Sequence, residues 1–258
     1  KKLPFVRELT KNYVGIDPVY EPIPVRPVVH YMMGGIDTNI DCSTNLPGLF
    51  AAGECACVSI NGANRLGSNS LTEILVFGAR AGNAAASFAN EHSEIDIKAL
   101  EKQRDEEFKR ITLNFLNKDG GSERISTLRK EMHQVMEECV GIFRSETGLK
   151  EASNKIEELK DRFSSILIED KSLNFNTELT SALELENMID VAEAIIFSAL
   201  SRRESRGSHQ RTDFEERNDE NFLRHSLAYR TDAESRIEYK EVVITKWQPG
   251  ERVYGKEE

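Results

Sequence analysis

From about residue 95 to residue 205, apolar side chains return every three or four positions and charged ones fill the gaps. That is the period of a helix with one buried face. Ile125, Leu128, Met132, Val135, Met136 and Cys139 form one stripe, and Leu149, Ala152, Ile156, Leu159, Phe163 and Ile166 a second. Leu179, Leu183, Ala192, Ile195, Ala199 and Leu200 belong to a third, and residues 100–115 carry a weaker fourth. Gly120-Gly121 and Thr147-Gly148 interrupt the pattern, and residues 174–176 open the last helix. Facing stripes of this kind predict an up-down helical bundle, with Met132 and Met136 in its core.

The first 92 residues read differently, holding most of the glycine and all but one of the prolines. Proline crowds positions 18–27, an extended approach to the β-branched and aromatic stretch 25–33, which reads as a strand turned by Gly34-Gly35. Residues 36–40 read as its partner, and 48–53 as a short buried strand ending at glycine. From Ser70 the period becomes helical, with Leu71, Ile74, Leu75, Gly78, Ala81 and Gly82 on one face. Ser70 as N-cap and Glu73 three positions later would form a capping box. The polar tail, 206–258, offers strands at 226–230 and 236–247 around a turn at 231–234. The expected organisation is α+β in three parts: 1–92, 93–205 and 206–258.

Charge narrows the possible partners. Lys and Arg number 34 against 44 Asp and Glu, a net charge of -10, so no basic face offers itself to nucleic acid. The apolar runs at 74–77 and 194–200 are broken by Arg80 and by Arg202 and Arg203, too short to span a bilayer. Cys42, Cys55, Cys57 and Cys139 follow no secretory signal and are expected to be reduced thiols in a cytosolic setting. Cys55-Ala56-Cys57 lacks a second ligand pair at zinc spacing, so no metal site is expected. Both thiols are read as small buried residues.

One segment carries candidate chemistry: Asn61-Gly62-Ala63-Asn64-Arg65-Leu66-Gly67-Ser68-Asn69-Ser70-Leu71. Gly62 and Gly67 have the spacing of a phosphate-binding loop, but Ser68 stands where that loop needs lysine, and no G-x-G-x-x-G occurs. What is left is a polar loop feeding backbone N–H groups to a helix N-terminus, which favours an anion or electron-rich group. His30, at the end of an apolar stretch, and Arg65, just before the helix, would complete a site for a small dicarboxylate, since guanidinium holds carboxylate bidentately. The same residues equally suit a structural histidine, a surface arginine and a capped helix. Spacing alone does not separate the two.

The residues themselves go further. Arg26-Pro27-Val28-Val29-His30-Tyr31-Met32-Met33-Gly34-Gly35-Ile36, then Gly48-Leu49-Phe50-Ala51-Ala52-Gly53-Glu54, then the loop 62–71, closely resemble the flavoprotein subunit of succinate dehydrogenase and fumarate reductase. The tail agrees, with Arg203-Glu204-Ser205-Arg206-Gly207-Ser208-His209, Arg217-Asn218-Asp219-Glu220-Asn221-Phe222-Leu223 and Arg252-Val253-Tyr254-Gly255. The loop and the closing Arg-Val-Tyr-Gly look nearer to fumarate reductase. The resemblance runs the whole chain in order and implies the carboxy-terminal half of such a flavoprotein: the end of an FAD-binding α/β domain, a helical bundle and a small β-containing tail.

By that resemblance His30 and Arg65 hold carboxylates of fumarate or succinate, Glu54 hydrogen-bonds FAD, and Ser70 and Leu71 contact the flavin ring. The proton-transferring arginine, the dinucleotide turn and any flavin-linking histidine would lie in the amino-terminal half, so no catalytic residue is assigned here. The expected partners are that half, an iron–sulfur subunit and, through it, membrane anchor subunits at the cytoplasmic face of the membrane. Arg203, Arg206, His209 and Arg211 are read as structural cations paired with acidic neighbours. Two alternatives stay open: an L-aspartate oxidase, or, for the isolated chain, a non-catalytic assembly module.

Overall fold

The computed structural model describes residues 3–92, 96–231 and 235–250. Residues 1–32 form one compact unit and residues 33–258 another.

The first unit opens with a helix that the sequence pattern did not suggest, α1 (Pro4–Val14). Proline in its first turn loses no hydrogen bond, and Gly15, at φ +74°, closes the other end by donating to the Lys11 carbonyl. Arg7 and Lys11 both reach the Asp17 carboxylate at 2.7 Å and hold it well below the usual carboxylate range. The strand expected at 25–33 does not form. Val25, Val28 and Val29 are exposed, and among the described residues no segment pairs with theirs. β-branched side chains favour a strand only where a neighbouring strand takes up its N–H and C=O groups.

In the second unit, β1 (Ile36–Asp37) pairs in parallel with β2 (Ala56–Cys57), so the expected hairpin with 25–33 is replaced by a crossover. An antiparallel bridge from Ser43 to Phe50 closes the loop between them over buried Cys42 and Ala51. The glycine-bounded stretch 48–53 therefore contributes a bridge and not a full strand. The helix α2 (Asn69–Glu91) starts one residue before the expected N-cap. Ser68, at φ +65°, is its N-cap and makes no side-chain capping bond, which places Ser70 inside the first turn. The anticipated capping box is absent because Glu73 is turned inward, 2% exposed, and accepts a hydrogen bond from Asn61 Nδ2 at 2.8 Å. The anticipated buried face is likewise open: Leu71 and Leu75 are 63% and 74% exposed, while Glu73 and Phe77 are the buried positions.

The bundle forms as its periodicity demands. The helices α3 (Ile97–Ile111), α4 (Ile125–Val140), α5 (Glu146–Phe163) and α6 (Thr177–Ser201) follow in order, with a short β3 (Phe143–Arg144) between α4 and α5. Asp96, Ser145 and Asn176 cap α3, α5 and α6 by accepting from Ala99, Gly148 and Leu179. Thr147-Gly148 thus lies within the first turn of α5 and is not a break. The core is three-helical: Leu128 and Met132 of α4 meet Leu149, Ile156 and Leu159 of α5, and Leu185, Ile189 and Ile196 of α6. The weak fourth stripe, 100–115, buries no α3 residue fully: Ile111 packs partly against the core, and Phe115 and Leu116 in the following π-helical turn Thr112–Leu116 are buried. On α6 the buried set is Ala182, Leu185, Ile189, Ala192, Ile196 and Ala199, alternating steps of three and four, whereas Leu179, Leu183, Ile195 and Leu200 are only partly buried.

After α6, β4 (Gln210–Arg211) lies parallel to β3, then come α7 (Asp219–Phe222), β5 (Arg224–Tyr229) and β6 (Arg236–Glu241). The expected hairpin forms, Arg224 opposite Glu241 and Tyr229 opposite Arg236, but its second strand ends at Glu241 and not at 247. Most of its turn, 232–234, and the Arg-Val-Tyr-Gly motif at 252–255 lie outside the described residues. The mixed α+β class stands. Among the described residues no helix is long and apolar enough to cross a membrane.

Candidate functional site

The loop 61–68 is held at alternate residues. Asn61 is tied by its side chain to buried Glu73. The Ala63 carbonyl accepts from both the backbone N–H and the hydroxyl of Ser208, at 3.0 and 2.7 Å. The Arg65 N–H points at Met33 Sδ, 3.1 Å away. Gly62, Asn64 and Leu66, between these points, are exposed. The loop is a run of bends and turns, with Gly62 at φ +58°, and these three fastenings pin it at positions 61, 63 and 65.

Arg65 is half-buried, and its Nη1 donates to the Leu66 carbonyl at 3.0 Å. Three residues later the left-handed Ser68 turns the chain into α2. In the first turn, Asn69 donates to Leu66 and Leu71 to the Ser68 carbonyl, while Ser70 sits between them at the positive end of the helix dipole. The Leu71 side chain is exposed, which puts an apolar surface beside polar backbone. Gly53, at φ +84°, allows the chain to approach α2: a side chain there would meet Ile74 Cγ2 at 3.2 Å. Glu54 follows it and is exposed.

The structure therefore gathers Arg65, Ser70 and Leu71 on one loop–helix junction, with Glu54 next to the glycine that lies against α2. His30 is exposed and belongs to the first unit. Cys55 is exposed and Cys57 only partly buried, against the expectation that both are buried, because Cys55 stands at the open end of β2. Cys57 has its thiol pushed up by burial.

Glu73, Met33 and Ser208 were not foreseen as parts of this site, nor was the tie from Asn61 to Glu73. Ser208 comes from the turn 206–209, closed by reciprocal backbone bonds between Arg206 and His209. The base of that turn is a polar knot. Glu204, 0% exposed, accepts from Arg202 at 2.7 Å, Arg206 at 2.8 and 2.9 Å, and the Asn218 N–H at 2.9 Å. Its carboxyl is held below the ordinary range by these donors, against the opposing effect of burial. Arg206 also reaches Asp219 at 2.6 Å, and buried Arg211 pairs with Asp213 at 2.7 Å. His209 Nε2 donates to the Arg202 carbonyl at 3.0 Å, which leaves Nδ1 to accept from Arg144 Nη1 at 3.0 Å. That arrangement requires neutral imidazole, and burial together with nearby guanidinium groups pushes its pKa down to about 4. Arg206 and Arg211 thus pair with acidic neighbours as their sequence suggested, whereas the partners of His209 are Arg144 and the Arg202 carbonyl, not a carboxylate.

Two family models match the chain: an FAD binding domain over residues 1–71 and the fumarate reductase flavoprotein C-term over residues 129–254. The fumarate reductase flavoprotein subunit of Mycobacterium tuberculosis (strain CDC 1551 / Oshkosh) is 54% identical over 259 residues, covering 99% of this chain and 44% of that one. The succinate dehydrogenase flavoprotein subunit of Rickettsia conorii is 38% identical over 260 residues, covering 95% of this chain and 42% of its own length. A solved Escherichia coli quinol fumarate reductase flavoprotein superposes with a TM-score of 0.94 at 47% identity, over 100% of this chain and 44% of that one. The chain spans less than half the length of these relatives. Fastened loop, helix terminus and matches along its whole length agree: the chain belongs to the flavoprotein-subunit family of fumarate reductase and succinate dehydrogenase, nearer to the fumarate reductase branch.

Proposed function

We propose that this chain supplies one wall of an FAD and dicarboxylate site, and that it interconverts fumarate and succinate together with the further length of flavoprotein that its relatives have. The observation that carries this reading is the loop fastened at residues 61, 63 and 65, which presents Arg65 just ahead of an open helix N-terminus. A loose surface arginine would need no such support. The first turn of α2 suits a flat heteroaromatic ring, with Leu71 against its face and the helix N-terminus toward its carbonyl-bearing edge. Ser70 and Leu71 would hold that edge, and Glu54 would accept a hydrogen bond from the cofactor. When bound, FAD supplies the hydride exchange with a middle carbon of the substrate.

The chain's own contribution is to bind and orient. Arg65 holds one carboxylate through two parallel N–H donors, fixing its plane, and by the resemblance His30 is assigned a carboxylate-binding role as well. Neither is assigned a proton transfer. Apolar Leu71, Ile74 and Leu75 on the open face of α2 support a covering layer, which we assign to the remaining flavoprotein. Relatives described as subunits support partner subunits for this chain too; an iron–sulfur subunit, with membrane anchors beyond it at the cytoplasmic face, is the arrangement we propose. The L-aspartate oxidase alternative is not favoured by the relatives found.

The test is Arg65→Lys in the complete flavoprotein, which keeps the charge and loses the fork. Fumarate turnover per mole of bound flavin is expected to fall on the order of 10²-fold, the scale of losing a charge-stabilising donor. His30→Ala is expected mainly to raise the dicarboxylate KM. Near-normal kinetics in both variants would overturn the carboxylate-clamp assignment.

A further inference from the structure

Resting on that reading, we propose that the turn 206–209 is a positioning device for Arg65, acting through the Ala63 carbonyl. The turn is remote in sequence and meets the loop at its tip. There, Ser208 donates twice to the Ala63 oxygen. Gly207, at φ +58°, lies so near that a Cβ would stand 2.7 Å from the Ala63 carbonyl carbon and oxygen. Both features locate the same peptide group, two residues before Arg65.

The tip can act as a fixed stop because its base is rigid. Arg206 is held by Glu204 and Asp219, and His209 by Arg144 and the Arg202 carbonyl. Arg202 follows directly on α6, so the turn is anchored to the bundle that carries the largest apolar core. Asn61 and the Arg65 N–H fix the loop on either side of Ala63, which leaves a displaced Ala63 carbonyl little slack to absorb before it moves Arg65. A shift of this kind, well short of the substrate, is enough to impair orientation.

The experiment is a double-mutant cycle in the complete flavoprotein, with Gly207→Ala, Arg65→Lys and the pair, read as kcat and KM for fumarate per mole of bound flavin. Gly207→Ala is expected to lower kcat/KM roughly tenfold, through the same turnover step that Arg65→Lys impairs, with flavin content unchanged. In the Arg65→Lys background the same change is expected to cost less than about twofold, because the group it positions is already lost. A Gly207→Ala protein that fails to fold is replaced in the cycle by Ser208→Ala, which removes only the hydroxyl donor and is expected to lower kcat/KM about threefold. Fully additive effects, or normal kinetics beside an impaired Arg65→Lys, would overturn the positioning role and leave the site reading standing. Normal kinetics for Arg65→Lys itself would overturn both.

Discussion

Replacing Glu204 by Gln tests whether the polar knot beneath the turn 206–209 holds this part of the fold together. The change keeps side-chain size and removes one negative charge at a position with no solvent exposure. The native carboxylate meets Arg202, Arg206 and the Asn218 N–H, all donors. An amide offers one accepting oxygen and turns an N–H₂ group toward the remaining donors, so at least one donor loses its acceptor. The Arg202 and Arg206 side chains are only 14% and 15% exposed, and water cannot freely replace what they lose. Breaking a buried ion pair from one side costs about 3–5 kcal/mol. For a chain of this size each kcal/mol corresponds to about 2–4 °C, so the melting temperature is expected to drop by roughly 6–20 °C.

Thermal unfolding followed by helical ellipticity at pH 7 measures this directly, with Asp190→Asn as a control. Asp190 pairs with Arg230, whose side chain is 77% exposed, and its loss is expected to cost less than about 1 kcal/mol. Acid supplies a second check. The Glu204 carboxyl is held below its ordinary range in the folded chain, so its contribution is complete above the unfolded carboxylate pKa of about 4.3 and fades as pH falls through the lower folded value. The gap between wild type and Glu204→Gln is therefore expected to narrow below about pH 4. A destabilisation no larger than that of Asp190→Asn at pH 7 would refute the knot as a structural element.

Ile156→Ala, in the middle of the three-helix core and 2% exposed, is expected to cost about 2–5 kcal/mol in denaturant unfolding. NMR is expected to show the His209 imidazole neutral, protonated on Nε2, from pH 7 down to about 4; because its folded pKa is depressed, the stability it contributes is full above its unfolded value and is lost as pH falls toward 4. A titration near 6.5 would remove it from the knot. Purified alone, the chain is expected to be colourless, since Glu54, Ser70 and Leu71 form one wall of a flavin pocket; stoichiometric flavin absorbance would contradict the shared site.

The bundle was legible because a helix satisfies its own backbone and its burial repeats at short range. Leu128, Leu149, Ile156 and Leu159 are at once the periodic and the buried positions. On α6 the pattern was ambiguous, since apolar residues surround much of the helix and only packing selects the face through Leu185, Ile189 and Ile196. The stretch 25–33 misled for the opposite reason: a strand has no existence apart from a neighbour, and its valines are exposed here. The helix α1 carried a usable signal, proline at its start and Gly15 after its end, within a region otherwise read as extended. At the site, the Arg65 loop and the helix start were visible in sequence to within a residue. Its fastenings were not, because Met33 lies 32 residues before Arg65 and Ser208 lies 145 residues beyond Ala63.

Those distant fastenings explain why a chain of net charge -10 buries Arg211 and Glu204 near the end of its last long helix. Apolar packing there would be at least as stabilising, since a buried ion pair rarely improves on a hydrophobic replacement. It would not fix direction, because apolar contact is indifferent to rotation and small slides. The Ala63 carbonyl needs donors in one orientation, about 3 Å away, and hydrogen bonds weaken steeply once misaligned. A turn whose two ends are set by charged hydrogen bonds, Arg206 on carboxylates and His209 between Arg144 and the Arg202 carbonyl, meets that requirement. The knot thus orients as well as stabilises, and the two roles separate by experiment: Glu204→Gln is expected to show foremost in melting temperature, and Gly207→Ala, whose added Cβ falls on the Ala63 peptide, foremost in fumarate kinetics.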